Sequence, residues 1–242
     1  MVLTRNPYIG PLNVISYGGH IVKHSHVVKS LGILIDNHLN WKSQVETVAK
    51  CFSTKIKMLK KIYYLPPKML EEIYFKTIIP SVTYCIGVWG SCSKTLFNSI
   101  ERLHLKSARI IYRVSPKIND NYVLKLAKWQ NIQYIYKRRL AVEMFKTLNN
   151  DQGRLSDLFH LSITSRKGKI FQLNRYQYEI GRNSLRFRGP VVWNRLPKDT
   201  RECKSLQSFK FQLKREKKCV DDISFEKGTV TLNNKNPDFI YF

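Results

Sequence analysis

Basic residues recur at helical spacing in the segment from 94 to 113. Four of them are separated by four, three and four positions, and these are Arg102, Lys106, Arg109 and Arg113. At ~100° of rotation per residue they form one narrow stripe on a helix, away from its apolar face. A line of cations on one helix face suits the phosphates of a nucleic-acid backbone. An ordinary solvated surface is the alternative.

A second stripe lies in the segment from 41 to 63. It consists of Lys50, Lys57 and Lys61, which align on one side of a helix and away from its apolar residues. Lys42 and Lys60 flank this stripe. Two such stripes in one chain favour nucleic-acid binding over a merely solvated surface.

A third basic region spans 160–218, where 16 Lys or Arg residues stand against four acids. Its candidate phosphate ligands are Arg182, Arg186 and Arg188. Four aromatic residues are interleaved with the cations, namely Tyr176, Tyr178, Phe187 and Trp193. Aromatic rings in basic surroundings can stack on bases, whereas a small hydrophobic core is the more typical place for Phe187 and Trp193.

Acidic, histidine and cysteine residues form no catalytic pattern. The only adjacent acids are Glu71 with Glu72 and Asp221 with Asp222, and neither pair has a partner acid that would complete a two-metal site. His20, His24 and His26 share strand parity but have no cysteine or acid in register for zinc. The five cysteines are widely spaced and include no CxxC pair. The sequence therefore predicts no catalytic residue and no metal ligand.

Composition and charge restrict the possible partners. The chain has 242 residues, of which 43% are hydrophobic, so it can form a core, and its net charge of +25 calls for a polyanionic partner. No secretory signal, amphipathic anchor or membrane-spanning run is evident. We expect RNA or an RNA/DNA duplex as the partner, no membrane and no small-molecule substrate, and a nuclear or cytoplasmic location. Composition leaves the oligomeric state open.

Hydrophobic periodicity predicts an α+β fold that is mainly α. A short N-terminal β-hairpin turns at Gly18 and Gly19, and the run VVKSLGILID predicts one further strand ending at Asp36. Helices are predicted at about 41–63, 67–80, 94–113, 120–128 and 137–148, with Asn40 and Ser93 as N-caps of the first and third. The basic C-terminal region has strand-like SLRFR, a turn at Gly189 and Pro190, and a last helix from Ser205.

Several segments resemble one family when taken in order. They are VVKSLGILIDNHLNWKSQVETVAK, LEEIYFKTIIPSVTYCIGVWG, IERLHLKSARIIYRV, VLKLAKWQNIQYIYKRRLAVEMFKTLN and NSLRFRGPVVWNRLPKDTRECKSLQSFKFQLK. They resemble the carboxy-terminal part of the reverse transcriptases of non-LTR (LINE-type, jockey-like) retrotransposons, and this resemblance extends over about 12–218. The resemblance covers the end of the palm, the thumb and a connection-like region. In that family the metal-binding aspartates of the polymerase lie upstream of the segment LGILID.

The resemblance implies five parts in the chain. They are a palm-end, primer-grip-like β segment (1–36), a helical thumb-like domain (37–115), connecting helices (116–153), a basic C-terminal region (154–218) and a flexible tail (219–242). It implies descent from an RNA-directed DNA polymerase, with no cofactor in this chain, because Mg²⁺ would belong to the palm. We therefore expect a fragment that clamps a template and primer duplex through its phosphates and does not polymerise alone. A free-standing basic RNA- or DNA-binding module is the alternative function.

Overall fold

The computed structural model describes residues 16–21, 25–149, 158–164, 168–174, 176 and 178–225. It confirms an α+β fold that is mainly α, in which three two-stranded antiparallel sheets accompany the helices. The strands are β1 (Ser16–Tyr17), β2 (His20–Ile21), β3 (Val27–Ser30), β4 (Ile33–Asp36), β5 (Leu161–Thr164) and β6 (Gly168–Phe171). Each sheet is a local hairpin of consecutive strands, so helix packing determines the architecture.

The two N-terminal hairpins both turn through left-handed residues. Gly18 and Gly19 have φ of 58° and 80° and join β1 to β2, which confirms the predicted turn. The prediction of a single strand from 27 to 36 is wrong, because the run folds back on itself at Leu31 and Gly32 (φ 47° and 82°). The Tyr84 hydroxyl donates to the carbonyl oxygen of Leu31 (3.0 Å) and holds this unusual turn against the helices.

The first helical layer follows these hairpins. It comprises α1 (Lys42–Lys61), α2 (Pro67–Ile73), a π-helical turn (Tyr74–Ile78), α3 (Ile79–Val82), α4 (Ile86–Trp89) and α5 (Lys94–Tyr112). The helix predicted for 67–80 is thus interrupted by a π-helical turn, in which the Ile79 N–H bonds to the Tyr74 carbonyl. Pro80 follows directly and has no N–H to continue the ordinary ladder, which explains the change of register at this place.

The second half of the chain is also helical. It comprises α6 (Asp120–Ala127), α7 (Ile132–Asn149), α8 (Glu179–Asn183), α9 (Leu185–Arg195), α10 (Lys198–Arg201), α11 (Leu206–Arg215) and α12 (Lys217–Asp221). Helix α7 begins at 132, five residues before the predicted start at 137. Helix α11 begins at Leu206, which confirms the last helix predicted from Ser205, and the Ser205 hydroxyl caps it by accepting from the Ser208 N–H (3.1 Å).

The strand predicted around SLRFR and the turn predicted at Gly189 and Pro190 are both wrong. All of these residues except Ser184 lie in α9, where Gly189 and Pro190 are buried. A Cβ on Gly189 would lie 2.5 Å from Met144 Sδ, so the glycine allows α9 to pack closely on α7. The apolar and basic alternation at 185–188 is too short to specify a strand when the following Val191, Val192 and Trp193 are buried as a helix.

Helix α7 lies at the centre of one continuous core, which accounts for its poor amphipathic pattern. Its residues Tyr134, Leu140 and Met144 are at most 1% exposed, and α4 and α5 pack on one part of it while α9, α11 and α12 pack on others. Val220 and Ile223 are also buried in this core. The packed chain therefore continues past the predicted boundary at 219, as far as 225, and the rest of the predicted tail lies outside the described residues.

Candidate nucleic-acid interface

A basic groove lies between the end of α1, the outer side of α5 and the segment that leads to α6. It encloses about 400 Å³, and an adjoining recess of about 350 Å³ shares four of its lining residues. The cations along both are Lys60, Arg102, Lys106, Arg109 and Arg113. The other lining residues are the apolar Leu105, Ile110, Val114 and Pro116, the aromatic Tyr63 in the recess, and Asp120, which is the single acid among the described residues that line the two. We call this surface the α1–α5 groove.

The amphipathic pattern of α5 directs its cations into the groove. Phe97, Ile100, Ala108 and Ile111 are buried on one side of the helix. At ~100° per residue the predicted stripe then falls on the opposite side, and from 102 to 113 it extends about 16 Å along the axis. The hydroxyl of Ser93 accepts from the Leu96 N–H (3.4 Å), which confirms the predicted N-cap. The structure thus brings all four residues of the α5 stripe to one groove.

A buried polar network fixes α5 against its neighbours. His104 Nε2 lies 2.9 Å from the carbonyl oxygen of Gln130, and His104 Nδ1 lies 2.6 Å from the Tyr74 hydroxyl. Because a carbonyl can only accept, Nε2 carries the proton and the Tyr74 hydroxyl donates to Nδ1. Burial lowers the pKa of His104 to about 4 and keeps the ring neutral. The Trp129 ring stacks on the Tyr74 ring with 4.6 Å between the ring centres and packs beside this network.

Two of the four stripe residues also hold the walls of the groove together. The Arg109 guanidinium forms an ion pair with Asp120 (2.7 Å) and donates to the carbonyl oxygen of Ile118, and its side chain is only 15% exposed. Arg113 has a left-handed backbone (φ 55°) and donates from Nη2 to the carbonyl oxygen of Tyr63 (3.2 Å). These contacts join α5 to the loop before α6 and to the end of α1.

Arg102 and Lys106 differ from these two residues because they are exposed and have no side-chain partner within the described part of the chain. On α1 the exposed stripe of Lys50, Lys57 and Lys61 faces away from the core, and none of its members lines the groove. Lys60 lines the groove in their place. Helical spacing predicts Lys60 only as a flanking residue of the stripe, because spacing does not show which side of α1 faces α5.

The predicted cations of the C-terminal region lie elsewhere and make internal contacts. The Arg188 guanidinium lies 4.8 Å from the centre of the Phe225 ring, and Arg188 Nη2 donates to Asn183 Oδ1 (2.5 Å). Arg186 is exposed and donates from Nε to the carbonyl oxygen of Leu158 (3.1 Å). Arg182 is half-buried in the short helix α8. The structure therefore does not bring these three arginines to the α1–α5 groove, and their phosphate contacts stay a prediction.

The aromatic residues of the same region divide between core and surface. Trp193 is fully buried, Phe187 is half-buried, and Tyr176 packs edge-on against Phe187. Tyr178 is 54% exposed. The core interpretation is thus confirmed for Trp193.

The paired aspartates at 221 and 222 do not fit a two-metal site. Both are exposed at the end of α12, where the Lys137 ammonium donates to the main-chain oxygen of Asp221 (2.5 Å) and places a cation beside the pair. Among the described residues no three His, Cys, Asp or Glu side chains come together as metal ligands, and no helix is long and apolar enough to cross a membrane. His24 lies outside the described residues.

Comparison with known proteins gives two informative matches. The chain is 29% identical over 140 residues to the RNA-directed DNA polymerase from mobile element jockey of Drosophila melanogaster, and this match covers 53% of the chain and 15% of the relative. It is 26% identical over 101 residues to the polymerase of the same name from Drosophila funebris, and that match covers 40% of the chain and 11% of the relative. The matched region thus spans less than a sixth of either relative's length.

No family model matches the sequence, and no solved structure matches the chain. The two jockey matches agree with the family that the ordered segments of the sequence resemble. This chain contains a region related to the reverse transcriptases of non-LTR retrotransposons.

Proposed function

We propose that the α1–α5 groove binds the phosphate backbone of an RNA/DNA or RNA duplex, as the thumb of a reverse transcriptase would. The observation that carries this proposal is the joining of five cations from two helices along one groove. Its single acid, Asp120, is already paired with Arg109, so the groove has a strong excess of positive charge. Contacts to phosphates position a duplex without reading its sequence, which suits a protein that must follow any template.

Arg102, Lys106 and Lys60 are the residues that contact phosphates most directly. Arg102 and Lys106 are exposed and without a described partner, whereas Arg109 and Arg113 already hold the groove walls. A free-standing nucleic-acid-binding module could use the same groove, but the similarity to the jockey polymerases favours descent from a reverse transcriptase. On this proposal the chain supplies duplex binding and none of the catalytic carboxylates.

A salt series with charge-reversal variants tests this function. Affinity for a blunt RNA/DNA hybrid should fall linearly on a log-log plot against salt concentration, and each lost phosphate contact should lower the slope by ~1 unit. The variant Arg102→Glu with Lys106→Glu should therefore bind more weakly and lose about two units of slope. The control Lys42→Glu makes the same type of charge change on α1, about 27 Å along the helix from Lys60.

Equal binding and equal slopes for the double variant and the wild type, with folding confirmed by circular dichroism, would refute the assignment to this groove. Weakening by Lys42→Glu to the same extent as the double variant would show a diffuse charge effect. Arg109→Glu is a poor test, because it would place two carboxylates together where Arg109 now pairs with Asp120.

A further inference from the structure

Two adjacent tyrosines stand exposed at the end of the α1–α5 groove. Tyr63 is 58% exposed and Tyr64 is 71% exposed, in the turn between α1 and α2. Their neighbours Ile62 and Leu65 pack against the core, and the Leu65 N–H bonds to the Ile62 carbonyl (3.1 Å). Because these flanking residues are anchored in the core, the turn leaves both tyrosine rings exposed to solvent.

The surroundings of these rings are basic. Tyr63 lines the recess of the groove together with Lys60 and Arg113, and its carbonyl oxygen accepts from the Arg113 guanidinium. The sequence from 47 to 70 contains six lysines and no acid. Within the described part of the chain neither ring stacks on another aromatic ring. Exposed aromatic rings beside cations are the usual means of binding unpaired bases.

We propose that Tyr63 and Tyr64 form a stacking platform for an unpaired nucleobase next to the end of the duplex bound in the groove. This inference rests on the proposed function, because the groove must hold the duplex phosphates for the overhanging base to reach the tyrosines. The platform is sequence-tolerant, since every base offers a flat face. The chain then recognises a junction between a duplex and a single strand rather than a uniform duplex.

The experiment compares two probes of the same hybrid sequence, one blunt and one with a four-nucleotide overhang that carries 2-aminopurine as its first unpaired base. Wild-type protein should bind the overhang probe more tightly and quench the 2-aminopurine fluorescence. Tyr64→Ala should weaken binding of the overhang probe by roughly 5- to 150-fold and leave the blunt probe unaffected. Tyr63→Ala should act in the same direction, and Tyr64→Phe should retain both binding and quenching.

Tyr122→Ala is the matched control, because Tyr122 is similarly exposed (56%) but lies on α6. Circular dichroism and the thermal midpoint confirm that each variant folds. Salt-dependent binding of the blunt probe without any preference for the overhang would overturn the platform and leave the proposed function standing. Failure to bind either probe would overturn both. A shift from dimer to monomer in Tyr64→Ala, with nucleic-acid binding unchanged, would identify the tyrosines as a self-association surface and refute the proposal.

Discussion

Neutral His104 should make the stability of the fold strongly dependent on pH below about 6.5. The folded protein keeps this ring unprotonated down to a pKa of about 4, because burial disfavours the charged form. Protonation would also convert Nδ1 from the acceptor of the Tyr74 hydroxyl into a donor. The unfolded chain, by contrast, takes up this proton near pH 6.5.

The sign and the size of the effect follow from this difference. Between about pH 6.5 and pH 4 the unfolded state binds one more proton at His104 than the folded state, so the free energy of unfolding falls as the pH is lowered. At 1.36 kcal/mol per pH unit, a difference of about 2.5 units corresponds to ~3 kcal/mol. Above about pH 6.5 this residue adds no further pH dependence.

Urea unfolding at pH values from 4.5 to 7.5 measures this contribution. The informative quantity is the difference in the free energy of unfolding between wild type and His104→Gln at each pH, because contributions common to both proteins cancel in it. The variant removes the titrating group and should be less stable at pH 7.5, and the difference should shrink by ~1.4 kcal/mol per pH unit below 6.5. Parallel stability curves for the two proteins would refute the argument that His104 is neutral and buried.

Two further predictions concern the turn before α1 and the contact between α4 and α7. Asp36→Ala should lower the free energy of unfolding by about 3 kcal/mol, because the buried Asp36 carboxylate accepts hydrogen bonds from three backbone N–H groups just before α1. Chemical denaturation of this variant and of Glu46→Ala, which removes an exposed acid, measures the effect. Equal losses of stability in the two variants would contradict it. Gly90→Ala should cost ~1–3 kcal/mol, since its Cβ would clash with the carbonyl oxygen of Ile86 and lie 2.6 Å from the Tyr136 ring. Gly87→Ala is the control and should be tolerated, because the nearest atom to its Cβ would be Arg139 Cγ at 3.5 Å. A Gly90→Ala variant as stable as Gly87→Ala would contradict the prediction.

Elements with local signals were predictable from the sequence. Helix α5 begins after a serine cap and has a regular apolar face, and the first hairpin has two glycines where left-handed conformations are needed. The turn between β3 and β4 escaped prediction because Leu31, an unusual residue for a positive φ, lies inside an apolar run that looks like one strand. Helix α7 is buried on most sides, so periodicity gives little indication of where it starts.

At the start of α1, an acid four to five residues earlier in the chain organises the turn that leads into the helix. The predicted cap, Asn40, accepts from the Lys42 N–H (2.9 Å), but the residue in the N-cap position is Trp41. Trp41 has a left-handed backbone conformation (φ 64°). Asp36, four to five residues earlier, organises this turn by accepting from the Asn40 and Trp41 N–H groups. The rule for N-caps pairs a side chain with N–H groups two or three positions later and therefore assigns the role to Asn40 alone.

The groove itself shows which part of a binding site helical spacing can reveal. Spacing placed Arg102, Lys106, Arg109 and Arg113 on one face, and the structure places all four along one groove. It could not reveal that Asp120, eleven residues after Arg109, returns through a loop to pair with it. A site that binds phosphates needs rigid walls as well as free charges, and here one stripe supplies both. Arg109 and Arg113 fix the loop and the end of α1, which leaves Arg102 and Lys106 with Lys60 as the charges available to phosphates, so the groove should release about three counterions rather than five.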